Sequence, residues 1–178
     1  MTNPINQTME QQSCERLRHA MAELIRTEPF AEISITALTR RAGLSRMAFY
    51  RHYASKEAVL IAYMAERLEP LYDFMGRLPH KGPLFLSQAY FEYIDAHSDF
   101  LADLIHAQAE LIPAACFREY VVRFYAEHVE QVPFTPHFKR YFNSYVGAGL
   151  YQMTLDWIRD GKKAPVTLIA QIAAKQAV

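Results

Sequence analysis

Chemistry in this chain concentrates in one stretch, Ile33–Lys56, which reads ISITALTRRAGLSRMAFYRHYASK. It carries five cations, Arg40, Arg41, Arg46, Arg51 and Lys56, and no acidic residue. Guanidinium and ammonium groups packed this closely suit phosphate, and phosphate contact is a local event that net charge does not report. Arginine adds a second capability, because its planar fork can pair with guanine O6 and N7 at about 1–3 kcal/mol of discrimination. No nucleophile elbow, phosphate loop, dinucleotide fingerprint or zinc-protease string occurs, so catalysis has no foothold in the sequence. The histidines His97, His106, His128 and His137 show no i, i+3 or i+4 pairing with one another or with cysteine. Neither a metal nor any other cofactor is expected.

The elements that position these side chains can be read from spacing. Leu17, Met21, Leu24 and Ile25 form a helical stripe that begins near Ser13 and should stop near Glu28, before Pro29. Residues 1–12 are polar, contain no Lys or Arg, and read as a flexible arm. Ser34 is placed to cap a helix over 35–42 that buries Ile35, Leu38 and Ala42. Gly43 supplies the tight turn, and Ser45 caps a short helix over 46–53. That helix is too short to stand alone and must be held through Phe49 and Tyr53. Two short helices about a glycine turn, one of them presenting cations, suit a major-groove reader.

Ser55 caps a longer fourth helix, with Pro70 expected to kink or break it. Beyond Gly76 the breakers divide the chain into helices at about 84–97, 99–111, 114–131, 137–160 and 166–176, with no defensible strand. The fold class is therefore all-α. A head over residues 1–57, expected to bind DNA, precedes a helical body over 58–178, expected to regulate and dimerise.

The whole chain has 178 residues, about half of them apolar, and formal net charge zero. Residues 1–64 hold 8 basic and 6 acidic side chains, against 11 and 13 in the remainder, too small an imbalance to argue anything alone. Two cysteines, Cys14 and Cys116, make no disulfide framework. With no secretion signal or membrane-length apolar run, a cytoplasmic protein without a membrane partner is expected.

The string as a whole resembles the head of TetR-family transcriptional regulators. The resemblance rests on Phe30, Ser34-Ile35-Thr36, Ala42-Gly43-Leu44-Ser45, Phe49-Tyr50-Arg51-His52-Tyr53 and Ser55-Lys56-Glu57, about 50 residues with the spacing intact. It implies three head helices, a linking fourth helix and a body that forms a homodimer. By the same resemblance, Thr36, Tyr50, His52 and Lys56 take positions that contact DNA phosphates, and Arg46, Met47 and Arg51 positions that reach base edges. Two positions depart from the family pattern: Met47 replaces a small residue or proline, and Ala48 replaces a Thr or Ser whose hydroxyl would bind phosphate. A second likeness, over 141–149 and Trp157–Gly161, points to the subgroup that includes the dihydroxyacetone-kinase operon regulator.

The body is aromatic, with 18 of the 23 Phe, Tyr and Trp lying after residue 64. Tyr63, Tyr90, Phe91, Phe117, Tyr120, Tyr141 and Tyr145 are the candidates for lining an effector cavity, with plain core as the alternative. Gly147 and Gly149 inside a helix cost about 1 kcal/mol each relative to alanine. That cost suits a close helix crossing, either a dimer seam shared with Trp157, Ile169 and Ile172 or an intramolecular contact. The expected function is a dimeric repressor on a palindromic double-stranded DNA operator, controlled through the body by a small-molecule effector. The alternative is a co-regulator whose body recruits an enzyme-like protein partner.

Overall fold

The computed structural model describes residues 4–129 and 135–176, and every element in it is helical. In order these are α1 (Pro4–Leu24), a 3-10 turn (Phe30–Glu32), α2 (Ile35–Ala42), α3 (Arg46–His52), α4 (Lys56–Gly76), α5 (Pro83–His97), α6 (Asp99–His106), α7 (Ala114–His128), α8 (Pro136–Arg159) and α9 (Val166–Gln176). The chain divides into two compact units. One takes the residues up to Met64 together with Asp103–Pro113, and the other takes Ala65–Ala102 and the residues from Ala114 onward.

In the first unit α1 packs on α2 and α3. Its stripe of Leu17, Met21 and Ile25 is fully buried with Ile33, Leu38 and Phe49. Burying side chains of this size contributes about 1.5–3 kcal/mol each, which is what holds the seven-residue α3 in helical form. The caps follow the sequence. Ser34 Oγ accepts from Ala37 N at 3.0 Å, and Ser45 Oγ accepts from Ala48 N at 3.1 Å. Gly43 closes α2 in the left-handed region at φ 62°, the conformation a side chain resists.

Four boundaries differ from the sequence reading. Residues 4–12, expected as a flexible arm, belong to α1, which opens with Pro4 in the first-turn position where its missing N–H costs nothing. The same helix stops at Leu24 rather than Glu28, its last carbonyl, Leu24 O, taken by Thr27 N and Thr27 Oγ1. Pro70 does not break α4, which runs unbroken to Gly76. Pro70 lies on the exposed face of the helix, where its missing N–H is cheapest. Helix α6 ends at His106, well before 111, because Gln108 adopts φ 55°.

In the second unit α5 packs on α9 and α7 on α8. The α7–α8 crossing is close: a Cβ on Gly147 would stand 3.1 Å from Arg118 Cγ and 3.3 Å from its Cα. Trp157 is buried, donating from Nε1 to Ala164 O at 2.8 Å and standing edge-on to Phe91 at 5.6 Å. Gly147 and Trp157, proposed from sequence for a dimer seam, are thus used inside one chain. The costly glycine is explained by the approach of the α7 backbone.

Candidate functional site

The exposed face of α3 is assembled by the turn and the core beneath it. Phe49 is fully buried and anchors the helix, and Tyr50 stands perpendicular to it at 5.2 Å between ring centres. With Phe49 inward, Met47 is 80% exposed and Tyr50 51% exposed, and Arg46 and Arg51 also face solvent. Arg46 Nη2 reaches the Tyr50 hydroxyl at 3.5 Å, one turn along the same face. Thr36, at the start of α2, is exposed, and His52 is half-buried. Met47 thus presents an apolar side chain on this face, of the kind that can meet a thymine methyl.

The five cations of the opening stretch are not equivalent. Arg41 Nε is 2.6 Å from Glu23 Oε2, and the hydrogen bond from Arg41 holds that carboxyl below its ordinary range. Lys56, expected to meet phosphate, has other partners. Its Nζ donates to Phe30 O at 2.7 Å, Ile33 O at 2.8 Å and Ala31 O at 3.1 Å, and lies 4.5 Å from the centre of the Phe30 ring. An ammonium has three protons, and all three are engaged. In this structure the side chain fastens the start of α4 to the 3-10 turn. Arg40, Arg46 and Arg51 remain as exposed cations without an ion pair among the described residues.

Two supports were not legible in the sequence. Arg16 Nη2 donates to Gly43 O at 3.0 Å, holding the turn between α2 and α3, and Arg18 Nη1 reaches the Tyr53 hydroxyl at 3.4 Å. Neither has a spacing signature, since each partner lies more than 25 residues away.

The second unit contains a partly open apolar cavity of about 210 Å³. Among the sequence candidates, Tyr90, Phe117, Tyr120 and Tyr145 line it. Tyr63, Phe91 and Tyr141 do not. Tyr63 is buried in the first unit, Phe91 is core against Trp157, and Tyr141 is 56% exposed beneath the Arg140 guanidinium at 4.6 Å. Spacing alone could not separate these three from the wall, because all seven aromatics recur at helical intervals. Helix α4 contributes Leu68, Leu71, Tyr72 and Met75 to the wall, which the sequence reading missed.

The phenols of the wall are tied down. Tyr120 donates to Glu69 Oε1 at 2.7 Å, Tyr72 donates to Glu127, and Tyr90 donates to Thr154 Oγ1 at 2.8 Å. Burial pushes the Tyr90 and Tyr120 phenols well above their ordinary value. Arg123 caps the Tyr72 ring at 4.0 Å and bridges Glu69 and Glu127. No cluster of groups able to hold a metal occurs among the described residues. Of the seam candidates, Ile172 is 44% exposed and Ile169 half-buried, while Gly149 lies open and lines the cavity.

Comparison with known proteins bears on both units. Residues 17–63 match the family described as bacterial regulatory proteins, tetR family, and residues 85–176 match one described as a transcriptional regulator C-terminal region. Over 39 residues the chain is 51% identical to the HTH-type transcriptional regulator EthR of Mycolicibacterium smegmatis, a match spanning 22% of this chain and 18% of that protein. It thus spans under a fifth of the curated relative's length. Among solved structures, a TetR transcriptional regulator from Streptococcus agalactiae superposes with a TM-score of 0.60 at 16% identity, covering 97% of both chains. The fatty acid degradation regulator FadR from Bacillus halodurans does so at 0.58 and 14% identity, over 99% of this chain and 96% of that one. The dihydroxyacetone kinase operon activator DhaS does so at 0.53 and 13%, over 93% of each. At these identities the structures speak for the fold. With the head matched by one family description and more than half of the chain by the other, this protein belongs to the TetR family of bacterial regulatory proteins.

Proposed function

We propose that the chain is a repressor acting as a homodimer on a palindromic double-stranded DNA operator in the cytoplasm, and that a small molecule in the body cavity controls it. The observation that carries the DNA reading is the face of α3, where Arg46, Met47, Tyr50 and Arg51 project together from a helix fixed by buried Phe49. Side chains on such a face reach base edges when the helix lies in the major groove, and two-fold symmetry of the protein demands a matching symmetry of the site. Thr36 and His52 flank the face, and we assign them, with Tyr50, to the phosphates. No described helix is long and apolar enough to cross a membrane.

The dimer is assigned to the outer faces of α8 and α9. Tyr141 on α8 and Leu168 and Ile172 on α9 are each between 44% and 56% exposed, leaving large apolar side chains open to solvent. Sedimentation of Ile172→Glu tests this: monomers are expected, and unchanged dimers would move the interface elsewhere.

A small-molecule effector is favoured over a protein partner because the body contains a formed cavity. Helix α4 offers the route of control. Its C-terminal half walls the cavity, and Lys56 at its other end is tied to the turn that supports α2. A ligand shifts such a switch only by binding its two states unequally.

The DNA assignment is tested by titrating the protein with the DNA upstream of its own gene at several salt concentrations. Binding should fall steeply, by about 0.9 in the logarithmic slope for each phosphate neutralised. If both Arg46→Ala and Arg51→Ala leave affinity and base preference intact, α3 is not the reading helix.

A further inference from the structure

The cavity says more about its ligand than that one exists. No Asp, Glu, Lys, Arg or His contributes to its wall. Arg123, the guanidinium over the Tyr72 ring, is already held by two carboxylates, Glu69 and Glu127. A charged ligand would therefore lose its hydration without gaining a counter-charge. Apart from Tyr145, which is 57% exposed, the hydroxyls of the wall divide into two groups. Tyr72, Tyr90 and Tyr120 have spent their phenolic protons on Glu127, Thr154 and Glu69. Ser87 on α5 and Tyr125 on α7 line the cavity without a hydrogen-bond partner among the described residues. Tyr125 is held edge-on by Phe142 at 5.6 Å, and burial raises its phenol above the ordinary value, so the hydroxyl stays neutral and keeps its proton to donate. Both residues are half-buried, so each hydroxyl can exchange a water for a ligand oxygen.

Size limits the ligand further. An apolar cavity of about 150 Å³ takes one benzene ring, so in proportion about 210 Å³ takes about eight or nine heavy atoms.

We infer that the cavity binds a small uncharged molecule, largely hydrocarbon and about the size of a ring with a short substituent, whose single hydroxyl or carbonyl oxygen pairs with Tyr125 or Ser87. This rests on the reading of the cavity as the control site, and it adds the chemical class and the two residues that set specificity. Acids, phosphates and amines are rejected by the same wall.

The test uses the full-length protein and three probes of matched size: 4-ethylphenol, 4-ethyltoluene and benzoate. Binding is followed by calorimetric titration and by the rise in melting temperature. The phenol should bind about three- to tenfold more tightly than the hydrocarbon, the worth of one neutral hydrogen bond, and the benzoate should show no saturable binding. The double variant Ser87→Ala, Tyr125→Phe should bring the phenol down to the level of the hydrocarbon and leave the hydrocarbon unchanged. Benzoate binding as tightly as the phenol, a phenol preference that survives the double variant, or no binding of either neutral probe would each overturn the inference. Operator binding measured in parallel separates the two readings. A protein that binds its operator but no probe loses only this inference, and one that binds the phenol but no DNA loses only the proposed function.

Discussion

Replacing Lys56 by methionine keeps an unbranched side chain over the Phe30 ring and removes the three donors that meet Phe30 O, Ala31 O and Ile33 O. Hydrogen bonds from a charged donor are worth about 1.5–3 kcal/mol each, but here three share one charge at a half-buried site where water can replace them. The contact with the ring adds about 0.5–1 kcal/mol. Two gains offset the loss: up to about 1.5–2 kcal/mol of lysine rotamer entropy is released, and a cation leaves the N-terminus of α4, worth about 0.3–1 kcal/mol. The net expectation is a loss of about 2 kcal/mol, which in a chain of this length lowers the melting temperature by about 4–8 °C. Circular dichroism at 222 nm reads it directly. A phosphate-contact role predicts the reverse pattern: an unchanged melting temperature and a salt dependence of operator binding reduced by about one ion. That result would refute the fastening role.

Other substitutions separate reading, packing and titration. Arg46→Ala should cost about 1–3 kcal/mol at one base position of the operator and leave the melting temperature unchanged, as seen by comparing single-base operator variants. Gly147→Val drives a side chain toward Arg118 Cα and should destabilise by about 1–3 kcal/mol without altering the oligomeric state, checked by melting and sedimentation together. Tyr90 is fully buried, and its folded-state pKa lies above the unfolded value near 10. Its contribution is therefore complete below pH 10 and is lost as pH rises beyond it, because only the unfolded chain releases the proton there. Denaturant titrations should show a falling alkaline limb that Tyr90→Phe flattens.

The order of helices was legible because each has its own punctuation: Ser34, Gly43 and Ser45 mark the head, and the prolines and glycines mark the body. The face of α3 was legible for the same reason, since Phe49 inward fixes where Arg46, Met47, Tyr50 and Arg51 point. What spacing could not convey was competition between partners. Lys56 looks unengaged in the sequence because the three carbonyls that take its protons are on residues 23 to 26 positions earlier. Glu23 took Arg41 across 18 positions by the same kind of encounter. Gly147 advertised a close crossing but not with which helix, and the aromatics of α4, α5, α7 and α8 became wall or core according to tilt, which periodicity does not encode.

The return of Asp103–Pro113 to the first unit sets a schedule for its assembly. Phe30 N donates to Ala107 O at 2.8 Å, and Arg26 Nε is 2.8 Å from Asp103 Oδ2, so the 3-10 turn and the residues that lead into it lean on chain made much later. About fifty residues separate Met64 from Pro113, and at ~5–20 residues per second a ribosome needs ~2–10 seconds to supply them. For that interval α2 and α3 stand on an unfinished support. A fragment ending at residue 57 would stay in that state indefinitely. The head is continuous as a sequence motif and discontinuous as a folding unit, so it matures after the body has begun to form.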